Sequence, residues 1–239
     1  MVGYVRSAIL GLLIGAGIAV VLSLIIGCTA PSVPEVRAAV TEVEVVEEKV
    51  VMICCDSITA GVGAQETNGY QNILQGILAD HGMPATFVNV AISGSRCDDW
   101  SAWLPAKLDE HQPDILLLNC GTNDYQISAK SGWLLENAYS KLVIYATERG
   151  INVITSLVQI SARDNPLVPA FLPDSEVKVN TVIRDLTQTR YEQGLIGRID
   201  LSVIVTDTVN TPDGIHPSSF GHQFYANAWF DEGVRLGWW

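Results

Sequence analysis

From Lys49 onward the chain alternates short, unbroken apolar runs with longer mixed segments. Residues 50–55 (Val-Val-Met-Ile-Cys-Cys), 86–91, 114–120 and 151–156 are apolar enough to be strands buried on both faces, and a weaker fifth lies near 199–205. Helical spacing of apolar positions predicts helices near 69–81, 98–109, 132–149, 174–193 and 219–236. Gly150 stands where the third of these would end. Strands alternating with helices predict a parallel, doubly wound α/β sheet. In such sheets ligands bind outside the carboxyl ends of the strands, so the residues that follow each strand hold the candidate chemistry.

The first part of the chain follows a different pattern. Ala8 to Ile26 is apolar or small throughout except for Ser23, and Arg6 is the only charge before it. A run of this length suits a membrane-spanning helix or a signal peptide. It ends Ile25-Ile26-Gly27-Cys28, which resembles the bacterial lipoprotein signal, in which the cysteine becomes lipid-modified. Residues 1–28 are therefore expected to be a lipoprotein signal with Cys28 lipidated, a cleaved secretory signal, or an uncleaved anchor. Each places the rest of the chain outside the cytoplasm. Residues 29–48, with Pro31, Pro34 and many Val and Glu, read as an acidic tether. Residues 49–239 are then long enough for one domain with a full core.

Charge and cysteines narrow the classes. There are 26 acidic against 14 basic residues, a net charge of −12. That balance argues against nucleic acid, whose affinity depends on Lys and Arg neutralising phosphates. No Cys-x-x-Cys pairs with a second such motif, so no zinc site is expected. Cys54, Cys55 and Cys120 close apolar runs and are expected to be buried. An oxidising compartment would permit a disulfide among these and Cys97, but spacing alone does not choose the pair.

The strand ends carry a consistent set of groups. After the first comes Cys55-Asp56-Ser57-Ile58-Thr59, after the second Ser93-Gly94-Ser95-Arg96, and after the third Gly121-Thr122-Asn123-Asp124. Asp213-Gly-Ile-His216 precedes the last helix. A histidine can take a proton from a serine when a carboxylate fixes its tautomer. Acyl transfer needs that group, a nucleophile, and N–H donors for the oxyanion.

These blocks resemble the SGNH (GDSL-type) serine hydrolase family, in order: Asp56-Ser57-x-Thr59, Asn89-x-x-x-Ser93-Gly94, Gly121-x-Asn123-Asp124 and Asp213-x-x-His216-Pro217. The similarity runs from about Val50 to the C-terminus. It implies a flavodoxin-like three-layer α/β/α sandwich on a five-stranded parallel sheet. It also implies Ser57 as nucleophile, His216 as general base and then acid, and Asp213 as its orienting partner. The oxyanion hole would comprise the backbone N–H groups of Ser57 and Gly94 and the side-chain amide of Asn123. No metal or organic cofactor is implied. The expectation is a monomeric, membrane-tethered esterase acting on carboxylic esters, with acetylated glycans or lipids as substrates. Rival readings are a catalytically silent binding module of the same fold and a metal phosphoesterase built on the aspartates. One departure stands out: the family usually has glycine where this chain has Cys55. A cysteine there raises the question of turn geometry and of a competing nucleophile.

Other residues have plainer expectations. Asp56 and Asp124 should hold their loops, and Asp98 and Asp99 should stabilise a helix start. His81, His111 and His222 are expected at the surface, with His222 alone near enough to line the cleft. Trp100 and Trp103 read as packing residues or as an apolar wall for an acyl group or sugar. Arg96 reads as solvated, with an anionic substrate group as the alternative. Trp238 and Trp239 suit either terminal packing or a membrane interface. The 157–173 stretch, with Arg163, Pro166, Pro169 and Pro173, reads as a loop that shapes specificity.

Overall fold

The computed structural model describes residues 47–65, 69–126, 131–159, 175–203 and 211–239. The apolar run, Cys28, the tether up to residue 46, and residues 160–173 of the expected specificity loop lie outside the described residues. Among the described residues, no helix is long and apolar enough to cross a membrane.

Five strands, β1 (Lys49–Cys55), β2 (Ala85–Asn89), β3 (Ile115–Asn119), β4 (Asn152–Leu157) and β5 (Gly197–Asp200), form one sheet in the order β2-β1-β3-β4-β5. All four pairings are parallel. This is the order of a flavodoxin-like doubly wound sheet. The helices are α1 (Tyr70–Asp80), α2 (Cys97–His111), α3 (Ser131–Thr147), α4 (Ser175–Glu192) and α5 (Ser219–Leu236).

The unbroken apolar runs have a direct cause. In β1, Val51 and Ile53 pack into a core with Tyr70, Leu74 and Leu78 of α1 and with Tyr225 and Trp229 of α5. Met52 and Cys54 point to the opposite core, built from α2, α3 and α4 through Leu104, Tyr139, Leu142 and Ile183. With both faces covered, most positions of the central strands are apolar, and the buried Thr155 and Ser156 of β4 are held by hydrogen bonds to the Gly197 carbonyl and Asn119 Oδ1. The result is a three-layer sandwich with the sheet between two helical layers.

The fifth strand differs from expectation. It begins at Gly197 and ends at Asp200, after which Leu201–Val203 forms a 3₁₀ turn. Asp200 Oδ1 accepts from the Ser202 N–H (3.0 Å), an Asx-type turn that ends the strand. Gly197 lets the strand start close under α5, because a Cβ there would lie 2.8 Å from Leu236 Cδ1. The last helix follows its sequence pattern. The Ser218 side chain accepts from Gly221 N–H (3.2 Å) at its start. Trp239 folds back onto α5, its indole N–H donating to the Phe230 carbonyl (2.9 Å), so the terminal tryptophan is a packing residue.

Candidate active site

Ser57 does not open a helix directly. It lies in a run of turns after β1, and α1 begins only at Tyr70. Within that run the Val62 N–H donates to the Ser57 carbonyl (2.9 Å) and Ala60 N–H to the Asp56 carbonyl (2.9 Å). Asp56 Oδ1 accepts from Ile58 N–H (3.0 Å) and Thr59 N–H (3.4 Å). Asp56 is buried, and burial pushes its carboxyl above the ordinary range against these donors.

The last block is a compact turn. Asp213 Oδ1 accepts from the backbone N–H groups of Ile215 (2.9 Å) and His216 (2.7 Å). Its Oδ2 meets His216 Nδ1 at 2.6 Å. Burial acts to raise the Asp213 carboxyl, but these bonds to the His216 ring and two amides outweigh it and hold the carboxyl below its ordinary range. With Nδ1 facing a carboxylate, the proton belongs on Nδ1 and Nε2 is left to accept. His216 Nε2 lies 2.8 Å from Ser57 Oγ. Residues 159 positions apart in sequence thus complete a continuous Asp213–His216–Ser57 chain. Ser57 is 8% exposed and His216 partly exposed, so the chain lies at the surface of a mostly covered floor.

The loops after β2 and β3 meet beside it. Gly94 has φ +82°, and a Cβ there would meet nothing within 4 Å. Glycine is required by backbone conformation, with close approach playing no part within the chain itself. Asn123 Nδ2 donates to the Ser95 carbonyl (2.9 Å). Asp124 Oδ2 accepts from Cys97 N–H (3.2 Å), and burial lifts its carboxyl to about 6. Asn89 braces the first loop from β2, its Nδ2 donating to the Thr59 carbonyl (3.0 Å).

Cys55 fits its turn without glycine's freedom. Among the described residues Gln112 is the non-glycine residue with positive φ, so the Cys55 backbone is ordinary. Its carbonyl accepts from Ile92 N–H (2.8 Å), Ser95 Oγ (2.9 Å) and Trp100 Nε1 (3.2 Å). Its thiol is fully buried beside Cys54 Sγ (2.7 Å), and burial raises its pKa well above the ordinary thiol range. Such a thiol is a poor nucleophile.

One residue stands elsewhere than expected, and for others the structure chooses between the alternatives. His222 is fully buried and does not line the cleft. Its Nδ1 accepts from Tyr70 N–H (3.2 Å), leaving Nε2–H to donate to the Val62 carbonyl (3.2 Å). Burial holds it below its ordinary pKa, which favours this neutral form. His222 thus ties the serine loop to α1 and α5. Trp100 is buried, with Nε1 on Ser95 Oγ (2.7 Å), whereas Trp103 is 41% exposed. Arg96 pairs with Asp98 (3.1 Å), and its backbone N–H donates to Asp99 Oδ2 (3.0 Å) at the α2 start. Cys97 and Cys120 form a disulfide, leaving Cys54 and Cys55 free. Cys97, Cys120 and Asp124 are the only metal-type cluster among the described residues, and the S–S bond occupies both sulfurs.

Sequence reasoning missed three supports. Gln159 Oε1 accepts a hydrogen bond from the Tyr225 hydroxyl (2.7 Å), and its Nε2 donates to the Ile215 carbonyl, bracing the Asp213–His216 turn from behind. Gly63 lies where a Cβ would press into the Pro217 carbonyl and His216 Cβ. Ser95 gathers Cys55, Trp100 and Asn123 into one junction. The Gly61-Val-Gly63 spacing was the one visible signal, since paired glycines mark close backbone passage.

Residues 56–224 match the model of the GDSL-like Lipase/Acylhydrolase family. The chain belongs to that family. Over 109 residues it is 28% identical to an arylesterase of Vibrio mimicus, covering 46% of this chain and 54% of that protein. Over 115 residues it is 30% identical to Esterase TesA of Pseudomonas aeruginosa, covering 48% of this chain and 57% of that protein. The chain thus spans about half the length of the curated relatives it matches. The family fold is matched across a greater length by the Clostridium thermocellum family 3 carbohydrate esterase, with a TM-score of 0.64, 21% identity, and 80% of this chain and 97% of that one covered. At that identity the likeness is one of fold.

Proposed function

We propose that this chain is a serine ester hydrolase that works through an acyl-enzyme. The observation that carries the proposal is the unbroken hydrogen-bond chain, 2.6 Å from Asp213 to His216 and 2.8 Å from His216 to Ser57. Ser57 Oγ attacks the ester carbonyl while His216 Nε2 takes its proton. The negative charge that develops on the carbonyl oxygen is met by the Ser57 and Gly94 N–H groups and by Asn123 Nδ2. Asn123 has two amide hydrogens. Ser95 holds one, which orients the other. The tetrahedral intermediate collapses as His216 returns its proton to the departing alkoxide, leaving an acyl group on Ser57. Water, deprotonated by His216, then attacks the acyl carbonyl and releases acid and enzyme. Asp213 keeps the ring oriented and stabilises its charged form during both halves.

The substrate class is a carboxylic ester, with acetylated glycans or lipids outside the cytoplasm the favoured setting. The apolar run ending at Cys28 supports a tether to the membrane. The Cys97–Cys120 disulfide supports an oxidising compartment, because such bonds persist mainly outside the cytosol. The fold likeness to a carbohydrate esterase and the sequence likeness to an arylesterase agree with ester chemistry.

A fluorophosphonate probe tests the mechanism. The folded wild type should be labelled at Ser57 and should hydrolyse p-nitrophenyl acetate, and Ser57→Ala should do neither. A folded wild type that takes no label would make the chain a silent binding module. Activity that survives Ser57→Ala but is lost with EDTA would favour the metal phosphoesterase. A chain-length series of p-nitrophenyl esters beside an acetylated-glycan panel then sorts the substrates.

A further inference from the structure

Two of the three oxyanion donors sit on separate loops, Gly94 after β2 and Asn123 after β3. These strands are not neighbours, because β1 lies between them. No ladder bond therefore sets the separation of the two loops. Three direct links do. Asn123 Nδ2 donates to the Ser95 carbonyl (2.9 Å), Cys97 N–H donates to Asp124 Oδ2 (3.2 Å), and a disulfide joins Cys97 to Cys120 with a Cα–Cα distance of 5.7 Å. Cys97 comes three residues after Gly94, and Cys120 three residues before Asn123. Both sulfurs are buried in the core beneath the site. The hydrogen bonds can lengthen or exchange as charge builds on the substrate. A disulfide confines its Cα atoms to a narrow range of separations.

We propose that the Cys97–Cys120 disulfide is a positioning device for the oxyanion hole, holding the Gly94 N–H and Asn123 Nδ2 at the separation acyl transfer requires. Its role rests on the reading of this site as a serine esterase. Breaking the bond slows the chemical step while leaving ground-state substrate binding intact. The oxidised enzyme is therefore the fast form, and the reduced enzyme remains folded but slow.

The test is the double variant Cys97→Ala/Cys120→Ala, measured beside the oxidised wild type. The kcat should fall by about 10-fold to 100-fold, the loss that small misplacement of an oxyanion donor produces. The KM should stay within about twofold. A trifluoromethyl ketone, which forms a tetrahedral adduct, should lose affinity by the same factor as kcat. A lower melting temperature with unchanged kcat and unchanged ketone affinity would overturn the proposal in favour of plain structural bracing. Should the variant fail to fold, the wild type is reduced with dithiothreitol well below its melting temperature, in urea below the unfolding transition so that local opening admits the reagent to the buried sulfurs, and is assayed against an unreduced control in the same urea. The reagent's two thiols close to a cyclic disulfide, and their electrons and protons appear as thiols on Cys97 and Cys120. Activity should fall in step with these new thiols and before any change in far-ultraviolet circular dichroism. Full activity with both thiols titrated would overturn the proposal. An oxidised wild type that neither labels nor turns over would instead remove the esterase reading, and this inference with it.

Discussion

The two halves of the site are built in opposite ways. In the proposed proton-transfer half the base is local and only its bond to Ser57, across 159 positions, is not: Asp213 bonds the His216 amide and the His216 ring, so four consecutive residues carry the geometry of the base. The half proposed to bind the oxyanion is non-local throughout. Ser95 reaches Cys55 across 40 positions and Asn123 reaches Ser95 across 28. A local turn can be specified by residue identity alone, because each bond closes a short ring of chain. A non-local junction exists only after the sheet has brought three strand ends together. The covalent link belongs to the half with the least local support, where loop separation would otherwise depend on single hydrogen bonds.

This contrast can be broken from either side. On the proton-transfer side, Ser57→Ala or His216→Ala should lower kcat by as much as about 10⁶-fold, whereas Asp213→Ala should lower it by about 10⁴-fold. Steady-state hydrolysis of p-nitrophenyl acetate checks the order, and equal losses would mean that Asp213 does more than orient. Asn123→Ala, on the oxyanion side, should reduce kcat by about 10²–10³-fold with KM little changed. A change confined to KM would place Asn123 in ground-state binding. Gln159→Leu removes the brace behind the Asp213–His216 turn and should lower kcat by about tenfold, as small displacements of a catalytic group do. An unchanged kcat would mean that the turn needs no support beyond its own bonds.

The smallest expected effect concerns pH. Burial lifts the Asp124 carboxyl to about 6, above its unfolded value of about 3.9. The folded chain therefore holds this proton more tightly than the unfolded chain. The contribution of Asp124 to stability is full below about pH 4 and is lost as pH rises towards about 6. In Asp124→Asn that decline should vanish, leaving a melting temperature with a shallower fall across this window than the wild type. Parallel wild-type and variant curves would show that Asp124 does not titrate there.

Much of the fold was legible from pattern. The apolar runs of β1, β3 and β4 mark strands covered on both faces, and α5 spans the stretch its periodicity predicts. The end of β5 was not legible, because Leu201 and Val203 continue the apolar pattern while the Asp200 side chain turns the backbone away. His222 was misplaced for a related reason. A histidine has no periodic signature, and its burial depends on Tyr70 and Val62 from another part of the chain supplying partners to both ring nitrogens.

The sequence by itself determined the order of elements, the parallel sheet, the Asp-Gly-Ile-His turn, and the blocks by which the family is recognised. Those features follow from spacing, since alternating faces and short hydrogen-bonded turns act over a few residues. Only the tertiary structure decided which cysteines pair, which carbonyl Gln159 holds, and why Cys55 is tolerated. Each of those depends on groups between 23 and 56 positions apart whose approach is set by strand order, and strand order is not written in any one segment.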